Sequence, residues 1–118
     1  MSYDFYKILH LSAVLMIFLS IGGMIALAQS KEAGAAANKM MSMLHGTGLL
    51  IALIAGFGIM AKIGLDFDGW VIGKLIIWLV LGGLMVLIKR KPEMSTVWAG
   101  LSIALGILAT YLGVIKPF

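Results

Sequence analysis

Long apolar runs alternate with short polar segments along the whole chain, and this pattern occurs four times. The four runs are Phe5–Ala28, Met41–Ala61, Trp70–Ile88 and Ser95–Ile115. A helix rises about 1.5 Å per residue, so roughly 20 apolar residues cross a hydrocarbon layer about 30 Å thick. Because backbone polar groups in lipid must find partners within the protein, each run predicts a membrane-spanning helix.

Short polar segments connect the runs, which favours neighbouring helices of opposite direction in a single domain. We therefore expect an all-α integral membrane protein, an antiparallel four-transmembrane-helix bundle. Small residues spaced four apart permit helices to approach closely in lipid. The candidate pairs are Gly22 and Ala26, Ala52 and Gly56, Gly69 and Gly73, and Ser102 and Gly106, with Gly46, Gly48, Gly58, Gly82 and Gly83 as further contact points.

Composition agrees with the apolar pattern and excludes several kinds of chemistry. Hydrophobic residues make up 62% of the 118 residues and charged residues 12%, whereas a soluble domain has about 25% charged residues. Cysteine is absent, which excludes disulfides, thiolate metal sites and iron–sulfur clusters. The formal charge is +4, but the basic residues lie near span ends, where phospholipid head groups rather than nucleic acid are the expected partner.

The distribution of basic residues predicts an orientation in the membrane. We define side A as the side of the N-terminus and side B as the opposite side; four spans return the C-terminus to side A. Five basic residues are expected in the side B loops, namely Lys31, Lys39, Lys89, Arg90 and Lys91, against Lys7, Lys62 and Lys116 on side A. The positive-inside rule then predicts a multi-pass protein of the cell inner (plasma) membrane, with both termini outside the cytoplasm. The first run is too long for a signal-peptide core and predicts a retained helix.

Ionisable residues inside a span are costly and mark functional sites. His10 lies a few residues inside the first span from side A, and Lys74 a few residues inside the third span from the same side. Both are expected about 6 Å below the boundary, where they face each other or share one ligand. The alternatives are a Lys74 ammonium that reaches up to the interface and a His10 ring bonded to a backbone carbonyl.

His45 is a weaker candidate for cofactor binding. It begins the second span on side B, about 15–20 Å from His10 along the membrane normal, so the two histidines are not expected to ligate one haem. An interfacial histidine is the alternative. Met40, Met41 and Met43 precede it, and thioethers together with an imidazole suit Cu(I). Lipid contact or packing is the alternative for these methionines.

Three segments carry a family resemblance. They are Tyr6-Lys7-Ile8-Leu9-His10, Gly69-Trp70-Val71-Ile72-Gly73-Lys74-Leu75 and Val114-Ile115-Lys116-Pro117-Phe118. With these segments the chain resembles the HemJ-type membrane proteins and the related SirB-type and CopD-like families. The resemblance to HemJ-type proteins implies bound haem b and an oxidoreductase activity like the oxidation of protoporphyrinogen IX to protoporphyrin IX. It also implies that His10 is an axial ligand of the haem iron or a base at a porphyrin site, and that Lys74 is a second ligand or the partner of a propionate.

The sequence leaves three functions open. The first is a haem- or porphyrin-binding redox protein in which His10 and Lys74 have catalytic or cofactor-binding roles. The second is a non-enzymatic structural or assembly subunit, packed by its glycines into a larger membrane complex or a homo-oligomer. The third is a metal or small-solute transporter that uses the methionine cluster and His45.

Overall fold

The fold consists of long helices. The computed structural model describes residues 2–29, 34–64 and 68–116, and within these ranges it contains no strand. The helices are α1 (Tyr3–Gln29), α2 (Ala35–Ile63), α3 (Gly69–Arg90), a short 3₁₀ helix (Pro92–Met94) and α4 (Ser95–Ile115). Each of the four α-helices is long and apolar enough to cross a membrane. The prediction of an all-α chain with four candidate spans is thereby confirmed.

Local sequence explains several helix ends. The Phe5 backbone N–H donates to Ser2 Oγ at 3.1 Å, as is typical of a serine that precedes a helix. At the end of α2, Gly64 adopts φ 66°, the left-handed conformation that glycine tolerates best, and its N–H donates to the Met60 carbonyl. Lys91 ends α3 by donating its N–H to the Leu87 carbonyl at 2.9 Å.

α2 extends further toward side B than its apolar run predicts. It begins at Ala35 rather than at Met41, because the alanines before Asn38 favour helix although they add little hydrophobicity. Other expectations fall on residues outside the described ranges. These are the charge of Lys31 in the first loop and the Pro117-Phe118 end of the third family segment.

The four helices form two hairpins, α1 with α2 and α3 with α4. Residues early in α1 meet residues late in α2: His10 bonds to Ala52, and Ile17 packs on Gly48. α1 also contacts α3 and α4, and α2 contacts α3, whereas α2 and α4 do not touch within the described residues. α1 and α3 therefore lie on the short diagonal of a flattened bundle that measures 49 × 27 × 15 Å.

Hydrogen bonds join the two hairpins to each other at side B. Lys89 Nζ on α3 donates to Ser42 Oγ on α2 at 2.7 Å. Gln29 Nε2, at the end of α1, donates to the Pro92 carbonyl at 2.8 Å and also to Ser95 Oγ. The loop before α4 is thus held against the end of α1, and the hairpins cannot separate at this end without losing these bonds.

The buried core is narrow and many large apolar side chains face outward. Ile21, Met24, Leu84 and Ile88 are fully buried. In contrast, side chains such as Leu15 and Val114, on α1 and α4, are 72% and 71% exposed. Such an outer surface is unfavourable in water but suits lipid, whose tails are as apolar as the side chains.

Gly48 lies where α1 and α2 approach most closely, and a side chain there should destabilise the bundle. A Cβ at Gly48 would lie 3.1 Å from the Ala13 carbonyl oxygen and 3.2 Å from the Ile17 backbone nitrogen, atoms that cannot move without shifting α1. We expect Gly48→Ala to lower the free energy of unfolding by about 1–3 kcal/mol, the usual cost of overpacking. Thermal unfolding in detergent micelles, followed by circular dichroism, measures this change.

Gly46→Ala is the matched control on the same helix. No atom of a neighbouring element lies within 4 Å of a Cβ at Gly46. Alanine is favoured over glycine in a helix by about 0.5–1 kcal/mol, so this variant should be at least as stable as the natural chain. Equal stability of the two variants would contradict the close approach at Gly48.

Candidate functional site

A cavity of about 380 Å³ lies in the half of the bundle nearer side A. Its volume is within the range of small-molecule sites, about 300–1,000 Å³. All four helices line the cavity. The lining residues lie within Tyr3 to Phe18 of α1, Ala52 to Met60 of α2, Trp70 to Leu81 of α3 and Gly106 to Val114 of α4, and Lys116 is also among them. The walls are mostly apolar, so the few polar side chains that line the cavity determine its chemistry.

His10 is oriented on the cavity wall by α2. Its Nδ1 lies 2.9 Å from the Ala52 carbonyl oxygen, and because a carbonyl only accepts, Nδ1 carries the hydrogen. In the neutral ring Nε2 then has a free lone pair, and no described residue bonds to it. Gly56 makes room for the ring, since a Cβ there would lie 3.3 Å from His10 Cε1. A histidine fixed through one nitrogen in this way can ligate a metal or accept a proton through the other.

Lys74 reaches the same cavity from α3. Its Nζ rests against α4, because a Cβ on Gly113 would lie 3.2 Å from it. The side chain is half-buried, and it forms no hydrogen bond or ion pair with another described residue. The ammonium group is close enough to His10 to interact with it electrostatically. The structure therefore brings together the two residues that the sequence places at matching depth.

Lys116 also lines this cavity, although the sequence indicated it only as a side A charge and as part of the third family segment, with no role at the site. Its Nζ donates to the Gly113 carbonyl at 2.7 Å and lies 5.2 Å from the centre of the Trp70 ring. The end of α4 and the start of α3 both lie on side A, and this common level was the signal that could have paired Lys116 with Lys74. Neither an aspartate nor a glutamate is among the described lining residues, whereas Lys7, His10, Lys74 and Lys116 are. The cavity thus favours an anion.

His45 does not line the cavity. It is buried between α2 and α3 toward side B, where its Nε2 lies 3.0 Å from the Leu81 carbonyl oxygen. One helical turn away, Trp78 Nε1 donates to the Leu49 carbonyl at 2.9 Å. Both bonds join the two hairpins, so the geometry gives His45 a structural contact. A role for it in cofactor binding stays a prediction.

The three methionines before His45 do not converge on it. Met40 and Met43 are exposed, while Met41 packs against Gly23 of α1. Within residues 2–29, 34–64 and 68–116 there is no group of three or more histidine, aspartate or glutamate side chains that could hold a metal ion. A copper site of thioethers and imidazole stays a prediction that this arrangement does not favour.

No protein-family model, curated protein or solved structure matches this chain. The resemblance to HemJ-type, SirB-type and CopD-like proteins accordingly stays a prediction. The function is argued below from the geometry of the cavity itself.

Proposed function

We propose that the chain crosses a membrane four times as an antiparallel bundle and binds haem b or a related porphyrin in its side A cavity. One observation carries the proposal: His10 lines an apolar cavity with Nδ1 bonded to Ala52, which leaves Nε2 available to bind the iron that haem would supply. Metal-ligating histidines typically donate their second nitrogen to a carbonyl or carboxylate in this way.

The described residues fit such a ligand in three respects. Apolar walls from four helices suit a macrocycle, and bundles commonly hold cofactors between facing helices. The His10 imidazole suits the iron, and the ammonium groups of Lys74 and Lys116 suit the acidic side chains of a porphyrin. Haem supplies a one-electron redox centre when bound. An oxidoreductase role resembling that of HemJ-type proteins is part of this proposal, with His10 as the residue in contact with the cofactor.

The proposed membrane orientation follows from the outer surface and the charges. The apolar side chains that face outward on every helix are matched to lipid. The described basic residues Lys89, Arg90 and Lys91 follow one another at the side B end of α3. With side B in the cytoplasm, the cavity and both termini lie toward the outer face of the plasma membrane.

Single cysteines can test this orientation, because the natural chain contains none. Ser2 and Glu93 are exposed at opposite ends of the bundle. In intact cells, Ser2→Cys should react with a membrane-impermeant maleimide, whereas Glu93→Cys should react only after the membrane is permeabilised. The cysteine-free parent chain is the blank. Labelling of Glu93→Cys alone in intact cells would reverse the orientation, and labelling of both would contradict a spanning bundle.

Haem binding should be visible in the absorption spectrum of protein purified in detergent from cells with ample haem. We expect a Soret band with sharpened bands after dithionite reduction. His10→Ala should remove the His-ligated spectrum, because no other described residue of the cavity offers an imidazole. Lys74→Ala should weaken or shift the bands.

His45→Leu is the matched control for the loss of a histidine. It removes a bond to Leu81 outside the cavity, which should cost about 1 kcal/mol of stability and leave the spectrum unchanged. Loss of the bands in His45→Leu but not in His10→Ala would contradict the assignment. A colourless protein would contradict haem binding altogether.

Exposed glycines favour a second candidate, a structural or assembly subunit. Gly22, Gly46 and Gly83 are exposed, and nothing lies within 4 Å of a Cβ at any of them. They therefore do not pack helices within the chain, unlike Gly48 and Gly106. Small residues on a lipid-facing surface allow another helix to approach closely, so these positions suit contact with a second copy or a larger complex.

The molar mass of the purified protein in detergent tests this second candidate. If the glycines form a contact between copies, Gly22→Leu or Gly83→Leu should shift the protein toward monomer in sedimentation velocity. Ala104→Leu, on the exposed surface of α4, is the control for added bulk and should leave the mass unchanged. A natural chain that is already monomeric would exclude a homo-oligomer.

A further inference from the structure

The two ammonium groups at the cavity entrance meet at a single glycine. Lys116 Nζ donates to the Gly113 carbonyl at 2.7 Å. Lys74 approaches the same residue from α3, and a Cβ on Gly113 would lie 3.2 Å from its Nζ. The two lysines are close enough to interact electrostatically. A side chain at position 113 would press against the Lys74 ammonium in its present position.

Two like charges close together repel each other, and an anion between them offsets that repulsion. No described residue supplies that anion: Lys74 has no hydrogen-bond or ion-pair partner, and Lys116 has only the Gly113 carbonyl. An ammonium group has three donors, so both lysines retain donors for an acceptor. Carboxylate and phosphate oxygens are the acceptors that pair most strongly with such donors.

The position of Lys74 along α3 indicates how deep the two lysines lie in the proposed membrane. Lys74 is five residues after Gly69, where α3 begins, which corresponds to about 7.5 Å along the helix axis. The head-group layer on each face of a bilayer is about 5–7 Å thick. On α1 the lined wall runs from Tyr3 to Phe18, about 22 Å along the axis. An acidic group at the lysines would therefore lie near the head-group level, with an apolar body extending toward the bundle centre.

The indole of Trp70 gives the pair a fixed support. Trp70 is buried, and the Lys116 ammonium lies 5.2 Å from its ring centre, within the range of a cation–π contact. Lys116 itself has φ 53°, a left-handed conformation that is uncommon outside glycine. α4 ends just before this residue, whose N–H donates to the Leu112 carbonyl, while its ammonium lies over Trp70 of α3. The ammonium is therefore held at the cavity rather than directed away from it.

From this geometry we infer that Lys74, Lys116 and Gly113 form a subsite for the acidic group of an amphiphilic ligand, separate from the imidazole of His10. The ligand class is a carboxylate or phosphate attached to an apolar body that fills the cavity. The inference rests on the proposed role of the cavity as a ligand site but not on iron. The acid can belong to a porphyrin propionate or to a membrane amphiphile, and the experiment distinguishes these sources.

Pairs of probes that differ only in the acid test the subsite. The first pair is haem and haem dimethyl ester, titrated by absorbance. The second is a fluorescent polyene fatty acid and its methyl ester, titrated by fluorescence. Each acid should bind the natural protein on the order of tenfold more tightly than its ester, as expected for charge-assisted hydrogen bonds. Lys74→Met and Lys116→Met should each remove most of this preference, and Gly113→Ala should reduce it.

Lys89→Met is the matched control, because it removes the same charge at the opposite end, where Lys89 bonds Ser42 outside the cavity. It should retain the full preference for the acid. Equal binding of acid and ester by the natural protein, or an equal loss of preference in Lys89→Met, would overturn the inference. If Lys74→Met does not give a folded protein, Lys116→Met is used to test the subsite, because Lys116 is exposed and its replacement should not prevent folding.

The results of these titrations distinguish failure of the acid subsite from failure of the haem proposal. His10→Ala should lose the iron-ligated spectrum yet keep the preference for acids over esters. A preference for the fatty acid over its methyl ester in a protein that binds no haem would support the subsite, assign it to a membrane amphiphile and contradict haem binding. Haem bound through His10 as tightly as its dimethyl ester, with the fatty acid and its methyl ester also bound equally, would support the haem proposal and overturn the subsite. Displacement of the fatty acid by vesicles of phosphatidylglycerol but not phosphatidylcholine would identify an anionic phospholipid as its ligand.

Discussion

The structure depends on hydrogen bonds from side chains on one helical hairpin to groups on the other. For the membrane-spanning bundle proposed above, burial of apolar surface does not drive helices together, so packing and polar contacts must do so. In this chain those contacts are concentrated toward side B, where Lys89 bonds Ser42 and Gln29 bonds the Pro92 carbonyl. Nearer the centre of the bundle, His45 and Trp78 each form a further hydrogen bond between the hairpins, to a backbone carbonyl of the facing helix.

The cavity lies in the half of the bundle opposite the hydrogen bonds between Lys89 and Ser42 and between Gln29 and Pro92. Toward side A the four helices surround the cavity, whose described lining is mostly apolar and includes the cations Lys7, Lys74 and Lys116 but no carboxylate. Within α1–α2 the His10–Ala52 bond still holds the hairpin together. One end of the bundle is thus closed by internal bonds, while the other has polar groups left for a ligand. The bonds between the hairpins and the proposed ligand site thus lie in opposite halves of one small chain.

Much of this fold could be predicted from the sequence, because four apolar runs of spanning length leave few alternatives to four helices. The convergence of His10 and Lys74 on one cavity also follows from counting residues inward from side A. The role of Lys116 could not be predicted, because it depends on the left-handed turn at the end of α4 and on the indole of Trp70. The sequence also could not predict which glycines face the inside of the bundle and which face outward, because the apolar helices have no polar face that would indicate their orientation. Gly48 lies inside and Gly46 outside, although they are two residues apart.

The placement of the tryptophans has an optical consequence. Two of the three, Trp70 and Trp78, line the cavity. Trp98 is buried at the other end of the bundle, with Nε1 donating to the Lys91 carbonyl at 3.0 Å. A ligand that absorbs indole emission would quench the first two by energy transfer and leave the third comparatively bright. The chain therefore contains an intrinsic reporter of cavity occupancy together with its own internal reference, and no added label is needed to read it.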